Sequence, residues 1–391
     1  MIEKEVTIDE QFTHELAIIN RWRRRVNRVM ALMALATIVW HSAPTVNTMS
    51  KIDTDFAGGL KYHSTVYDGG KATVLDGSID TIDPIEKDDP VIAQVLSELA
   101  PDQAVVAEAD DGTRVEYYML NKHISPENGV IVFNMGWKGD VQTETTHQEL
   151  TYLISNLPEP KQVIVINIIN TNPTKEVMDQ MMSEGSFIPF GVSVDAGLAE
   201  LLENYKSDKI EYWGHSEGAR RAIAQAYAYY LRTGEPIAVL KALDPVGSHG
   251  QELLPFGLNS AKEEWLYSMM YDNSKYDLHL AVAQADKGLE QDNRYLSSFG
   301  APNVMRRNGT TIDLGETITA GAARQIIVVS PELSAITNPS DVSEIISTTN
   351  IPYGTVVCHT MLEGHSHYPI GSGKSMAVET SSYANVGGAC E

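Results

Sequence analysis

The sequence predicts an α/β fold in which a mostly parallel central sheet carries helices on both faces. Continuous apolar runs alternate with helical patterns from about residue 104 onwards, and such runs are typical of strands buried on both sides of a parallel sheet. Around residue 216, a strand, a turn with a serine between two glycines, and an apolar-periodic helix follow one another without a break. The other elements are placed relative to this unit.

The elements predicted before the serine turn are strands at residues 104–109, 114–120, 129–134 and 162–169, and a helix at about 194–205. The first two strands flank an Asp-Asp-Gly-Thr sequence, which favours a hairpin. After the serine turn, strands are predicted at residues 238–243, 326–329 and 354–358, the last running on towards Met361, with a helix that begins near Asn338. This alternation indicates a sheet whose strands are joined by helical crossovers.

Ser216 lies in Gly214-His215-Ser216-Glu217-Gly218, which matches the Gly-x-Ser-x-Gly pattern of a nucleophile elbow. The two glycines are needed because a side chain at either position would collide with the neighbouring strand or helix. Such a turn exposes the Ser216 hydroxyl above the carboxyl edge of the sheet. The N–H groups that begin the next helix then face the same point and favour negative charge there. A serine that only caps the helix is the alternative interpretation.

The composition excludes one class of partner. The 391 residues carry a formal charge of −23, with a sequence pI near 4.8, whereas a nucleic-acid surface needs clustered Lys and Arg. Two cysteines, Cys358 and Cys390, are too few for a disulfide framework or a zinc cluster. Either a single bridge that fixes the C-terminus or two separate thiols fits the sequence.

The N-terminal 45 residues are predicted to be a signal or membrane anchor. An arginine cluster at residues 21–28 precedes twelve apolar residues, 29–40, which is the length of a signal-peptide core rather than of a membrane span. An amphipathic helix on a soluble, cytoplasmic protein is the alternative. The expectation is therefore an exported or membrane-associated protein, with any membrane association through residues 21–40.

The remaining chain is divided by composition. Residues 46–100 are rich in Gly, Asp and Thr and are predicted to be a linker and lead-in, and residues 376–391 a tail. Between them, 101–375 forms the main domain. The strand–helix alternation is interrupted at about 247–322, where a Met- and Tyr-rich helical cap is predicted.

This order of elements resembles the α/β-hydrolase superfamily over about residues 104–371. The resemblance depends on the leading hairpin, the strand that ends in Met135-Gly136-Trp137, the serine turn, the insertion, and the Gly-His that follows the last strand. It implies two backbone N–H groups that bind an oxyanion, one from the residue after the strand-end glycine and one from the residue after the nucleophile. In this chain they belong to Trp137 and Glu217.

The resemblance places a general base after the last strand. His365, in its Gly-His context, is the preferred residue, and His367 is the rival. These histidines together with His359 also suggest a metal site, but no carboxylate or cysteine lies at ligand spacing. No metal is predicted, and the expected role of His365 is to take the Ser216 proton.

The acid of the expected triad is less well defined. The family commonly places an Asp after the second-last strand, where this chain has Ser334. Some lipases in the superfamily carry the acid one strand earlier, in a Leu-Asp-Pro context that Leu243-Asp244-Pro245 matches. Asp244 is therefore the preferred acid, with Glu332 and then Asp286 as alternatives. The alternative interpretation of Asp244 is purely structural, namely that its side chain caps the turn before Pro245.

The function predicted is that of a serine hydrolase, lipase-like, that cleaves an ester or related acyl bond through an acyl-enzyme without a cofactor. The apolar cap favours a hydrophobic acyl group on a small-molecule or lipid ester, and packing within the cap is the alternative interpretation of its apolar residues. Peptidases and acyltransferases use the same residues, so the sequence does not distinguish ester hydrolysis from these two reactions. The oligomeric state is not predicted. The alternative from another class is a non-catalytic binding protein of the same fold, anchored by its N-terminus.

Overall fold

The computed structural model describes residues 60–80, 85, 89–136, 139–248, 250–252, 255–256, 259–260, 263, 304–307, 309–365, 367 and 390 of the chain. These residues include one ten-stranded sheet. Its strands are β1 Leu60–Asp68, β2 Lys71–Ile79, β3 Val105–Glu108, β4 Arg114–Leu120, β5 Val130–Asn134, β6 Gln162–Ile166, β7 Ile210–His215, β8 Ile237–Leu243, β9 Ala323–Pro331 and β10 Val356–Leu362.

The strands are arranged in the order β2-β1-β10-β9-β8-β7-β5-β6-β4-β3. From β6 to β10 every neighbouring pair in this order is parallel. Antiparallel pairs extend the sheet at both edges, β4 with β6 and β3 with β4 on one side, β1 with β10 and β2 with β1 on the other. The predicted class, a mostly parallel sheet with helices on both faces, is confirmed.

The helices are α1 Pro90–Glu98, α2 Glu144–Ser155, α3 Lys175–Glu184, α4 Ile188–Leu202, α5 Glu217–Thr233, α6 Gly309–Ala320 and α7 Pro339–Thr348. Two hydrophobic clusters lie on opposite faces of the sheet, one containing residues of α1 and α2 and the other residues of α3 to α7. Strand β5 contributes to both, because Val132 belongs to one cluster and its neighbours Ile131 and Phe133 to the other. A strand buried on both faces has to be apolar throughout, which is how its sequence predicted it.

The prediction that residues 46–100 form a linker is wrong for the part that the structure describes. Strands β1 and β2 form a hairpin on the edge of the sheet, and α1 follows them. The hairpin turns at Gly69 and Gly70, both with positive φ, and most of β2 is exposed. An edge strand with a solvated face lacks a continuous apolar run, and for this reason its composition resembles that of a linker.

The cap predicted at 247–322 is also too long. Its last part is α6, a crossover helix between β8 and β9 whose Leu314 and Ile318 are buried in the core. The inserted segment that remains comprises residues 247–308. Its Met- and Tyr-rich part, around Trp265 to Tyr271, lies outside the described residues.

Cys358 and Cys390 form a disulfide with Cα atoms 5.8 Å apart, so residue 390 is attached to β10. The residues of the predicted tail before it lie outside the described ranges. Within those ranges, no helix combines the length and the apolar character that a membrane span requires. Residues 21–40, with the predicted signal or anchor, are not among them.

Candidate active site

Ser216 occupies the sharp turn between β7 and α5. Its φ of 58° and ψ of −124° lie outside the backbone regions that residues other than glycine usually adopt. The backbone is held there because the Ser216 N–H donates to the Leu243 carbonyl at 2.9 Å, which joins the turn to the end of β8. The hydroxyl is thus fixed at the carboxyl edge of the parallel sheet, next to the N-terminus of α5.

The two flanking glycines are required by close backbone approach. A Cβ on Gly214 would lie 2.3 Å from the Gly218 carbonyl oxygen, and a Cβ on Gly218 would lie 2.2 Å from that of Asn134. Backbone atoms cannot retreat as a flexible side chain can. The predicted reason for these glycines, collision with the neighbouring strand and helix, is therefore confirmed.

Three side chains meet at this edge of the sheet. The Ser216 Oγ lies 3.0 Å from His367 Nε2, and His367 Nδ1 lies 2.5 Å from Asp244 Oδ2. His367 and Asp244 are both buried, with 2% and 0% of their surface exposed. A neutral imidazole that donates from Nδ1 to the carboxylate leaves Nε2 as the acceptor of the serine proton. This is the order of contacts that a serine–histidine–acid triad requires.

The position of the histidine is a correction to the sequence analysis, which preferred His365. Strand β10 ends at Leu362, and the chain then turns at Gly364, whose φ is 67°. His365 is buried after this turn, and its carbonyl oxygen accepts a hydrogen bond from Leu333 N at 2.8 Å. Two more residues are needed before a side chain reaches Ser216, so His367, the rival, lies there instead.

Asp244 follows β8 directly and has a φ of 48°. Its N–H donates to the Val329 carbonyl at 2.7 Å, and its Oδ2 also accepts a hydrogen bond from the Ser334 hydroxyl at 2.8 Å. The structure thus brings together Ser216 and Asp244, as the sequence analysis expected. Ser334, the residue in the slot where the family commonly has its acid, contacts the carboxylate that replaces it.

The alternative acid Glu332 is not brought to this group. It is exposed, and its carboxylate accepts a hydrogen bond from the Gly364 N–H at 2.9 Å. This contact fixes the turn that follows β10. Asp286, the third alternative, lies outside the described residues.

His215 supports the ring of His367, and sequence reasoning did not find it. The two rings are stacked with centroids 4.7 Å apart, and His215 Nε2 donates to the His367 carbonyl oxygen at 3.0 Å. Burial, and next the proximity of His367, hold the pKa of His215 well below its usual range. His215 is therefore neutral at pH 7 and adds no competing positive charge beside the candidate base.

One of the two expected oxyanion donors is described. Glu217 is the first residue of α5, so its N–H belongs to the free N–H groups at the start of a helix, next to Ser216. Trp137 lies outside the described residues and stays a prediction. Its neighbour Gly136 is close to the site, because a Cβ on Gly136 would lie 3.7 Å from the Cβ of Ser216.

The side chain of Glu217 has a structural role. Its Oε2 lies 3.0 Å from Arg221 Nη2, with both side chains fully buried, and the same Arg221 nitrogen donates to the Met135 carbonyl. Burial raises the pKa of Glu217 to about 7, against the opposing effect of Arg221. These contacts join the start of α5 to the loop after β5 and hold both sides of the expected oxyanion site together.

The histidine cluster shows no metal-ligand arrangement. His359 Nδ1 lies 2.9 Å from Ser343 Oγ, and its Nε2 lies 3.1 Å from Ser330 Oγ. Burial lowers the pKa of His359 to about 4. Among the residues that the structure describes, no three His, Cys, Asp or Glu side chains are placed to hold a metal ion.

The strand order, the serine turn and the residues at the carboxyl edge define a protein of the α/β-hydrolase fold. Solved structures similar to the chain include an esterase from Pyrococcus furiosus, Pf2001, with 14% identity, a TM-score of 0.43 and coverage of 73% of this chain and 90% of that one. A putative hydrolase from Bacillus subtilis has 14% identity, a TM-score of 0.45 and coverage of 74% and 94%. An esterase from Pyrobaculum calidifontis has 14% identity, a TM-score of 0.43 and coverage of 76% and 90%. No family model and no curated protein matches the chain.

Proposed function

We propose that the protein is a serine hydrolase that cleaves an ester or related acyl bond through an acyl-enzyme. The observation that carries this proposal is the continuous contact from Ser216 through His367 to Asp244 at the carboxyl edge of the sheet. Each of these side chains occupies the position that its chemical role requires. No cofactor enters the proposed reaction.

In the proposed first half-reaction, Ser216 Oγ attacks the acyl carbon while His367 Nε2 takes the hydroxyl proton. The carbonyl oxygen becomes an oxyanion next to the N–H of Glu217, with the N–H of Trp137 as the expected second donor. His367 then protonates the leaving alcohol as the acyl–oxygen bond breaks. Asp244 holds the ring in the required tautomer and stabilises the imidazolium formed in between.

In the second half-reaction, water takes the place of the alcohol. His367 removes a proton from the water, the resulting hydroxide adds to the acyl carbon, and Ser216 leaves with the proton returned. The products are the free acid and the regenerated serine. A hydrophobic acyl group remains the expected substrate, and the cap residues that motivate this lie outside the described residues.

A non-catalytic binding protein is the alternative function, because the usual position of the acid after the second-last strand holds Ser334. Asp244 lies 2.5 Å from His367 although it follows the strand before that one. The contact therefore favours the enzyme. No observation in the described part of the chain favours the binding protein over the enzyme.

The test is labelling with a fluorophosphonate, which reacts with an activated serine by loss of fluoride. The wild-type protein should be labelled at Ser216, and Ser216→Ala should not be labelled. Single-turnover acylation with an activated ester should give the same contrast. A wild type that acylates no faster than Ser216→Ala would overturn the proposed function.

A further inference from the structure

A second buried carboxylate lies next to the candidate triad and comes from the inserted segment 247–308. Glu263 is a helical residue of this segment with 1% of its surface exposed. It is not one of the residues that the proposed reaction uses. A carboxylate that is removed from water in this way needs partners that compensate for its lost hydration.

The two oxygens of Glu263 accept hydrogen bonds from two different loops. Oε1 accepts from the Ala335 N–H at 2.5 Å, and Oε2 accepts from the N–H of His367 itself at 3.2 Å. Ala335 follows Ser334, the residue that donates to Asp244. The Glu263 side chain therefore holds the backbone of His367, the candidate base. It also holds the backbone of Ala335, next to the Ser334 hydroxyl that orients Asp244.

The two backbone N–H donors favour the ionised form of Glu263, whose negative charge then lies next to His367. Burial raises its pKa, while His367 and the N–H of Ala335 oppose that effect and Asp244 adds to it. Among the residues that the structure describes, the titratable groups in contact with His367 include Asp244, Glu263 and the neutral His215. When His367 takes the serine proton, an ionised Glu263 stabilises the positive charge that forms on the ring.

We propose that Glu263 is a positioning residue for the reaction, which brings this one residue of the inserted segment into the active site. This inference rests on the proposed function, because it assigns a residue to that same site. Glu263 acts through the backbone of His367 and Ala335, so it sets where the imidazole lies between Ser216 and Asp244. Small displacements of such a group cost a hydrolase much of its rate.

The test is Glu263→Gln, which keeps the shape but replaces one acceptor oxygen by an N–H₂ group. One of the two backbone donors then faces another donor. We expect kcat to fall about 10- to 100-fold with KM nearly unchanged. The acid limb of the pH–rate profile should move to lower pH, because a negative charge near His367 has been removed. Glu252→Gln, the same change at an exposed position of the inserted segment, should leave both unchanged.

A purely structural role predicts a lower free energy of unfolding but the wild-type kcat and pH profile in the folded fraction. That result, with a wild type that acylates normally, overturns the inference and leaves the proposed function intact. If Glu263→Gln does not fold, Glu263→Asp keeps the charge and shortens the reach. A folded Glu263→Asp protein with wild-type kcat would overturn the inference as well, whereas a tenfold loss in kcat at constant KM would support it.

Discussion

The Ser334 hydroxyl donates a hydrogen bond to the Asp244 carboxylate at 2.8 Å. Position 334, where the resemblance leads one to expect an acid, therefore holds a donor to the acid. Because the parallel strands β8 and β9 are neighbours, the residues that follow them are close enough for this hydrogen bond. The Ser334 hydroxyl contacts the same Asp244 oxygen that faces His367, so an acid at position 334 would lie near this imidazole as well.

The first prediction concerns Asp244. Asp244→Asn keeps the shape of the side chain but favours the wrong imidazole tautomer, and such a change lowers turnover about 10⁴-fold in a serine protease. We expect single-turnover acylation to fall by a few orders of magnitude while substrate affinity barely changes. Glu332→Gln is the control, because Glu332 contacts Gly364 and not the histidine. If Glu332→Gln were the impaired variant, the assignment of the acid would be wrong.

A second prediction separates the two histidines. His367→Ala should remove the proton acceptor of Ser216 and lower acylation by several orders of magnitude, as loss of a triad member does. His365→Ala should retain most of the rate in the protein that folds, since its backbone carbonyl contact with Leu333 persists. The measurement is acylation by an activated ester, corrected for the folded fraction. Equal rates for both variants would contradict the position assigned to His367.

The third prediction concerns the serine turn. Gly218→Ala places a methyl group 2.2 Å from the Asn134 oxygen and 2.3 Å from the Met135 oxygen. We expect the free energy of unfolding to fall by about 3 kcal/mol, the upper end of the usual range for overpacking. Gly234→Ala, at the other end of α5, is the comparison. Its φ is 73° but nothing lies within 4 Å, so only the left-handed conformation costs energy, about 1–2 kcal/mol. Similar losses in denaturant unfolding of the two variants would argue against the steric explanation.

Acid stability provides the fourth prediction. His359 has a pKa of about 4 in the folded protein against an ordinary value of 6.5. Its contribution is fully present above pH 6.5 and is lost as the pH falls towards 4, because only the unfolded chain then binds the proton. The loss should approach about 3 kcal/mol at pH 4. His359→Gln should reduce the slope of unfolding free energy against pH in this window, while the exposed His123→Gln should keep it.

The fifth prediction is that residues 21–40 direct the chain to or through a membrane. The arginine cluster before twelve apolar residues motivates it, and a disulfide such as Cys358–Cys390 persists in oxidising compartments. Cell fractionation should find the full-length protein exported or in membranes and a version that starts at Lys51 in the cytoplasm. Equal cytosolic recovery of the two would contradict it.

The sequence was informative where one local pattern determines one local structure. The strand–turn–helix around Ser216 is such a case, because the glycines and the apolar runs lie within a few residues of each other. The sequence was less informative where most residues of a strand are exposed and no alternation of apolar and polar residues is required, as in the edge strand β2. A solvated edge has no buried face to impose a pattern on its residues.

The candidate site depends on contacts between residues that are distant in the chain. Glu263 lies 72 residues from Ala335 and 104 from His367, so no local signal relates them. The choice between His365 and His367 likewise depends on the turn at Gly364 and on the direction that the chain takes after it. Asp244 was found because the resemblance to some lipases places the acid in a Leu-Asp-Pro context, which is a local pattern that the chain matches.

The bridge between Cys358 and Cys390 closes a covalent ring in which His367 is enclosed, since the two cysteines are 32 residues apart. The ring is closed at Cys358 in β10, which precedes His367 in the chain, and Cys390 follows His367. A single protease cut inside the ring would therefore leave the two fragments joined. Separating the histidine from the rest of the protein would require a second cut or a reductant.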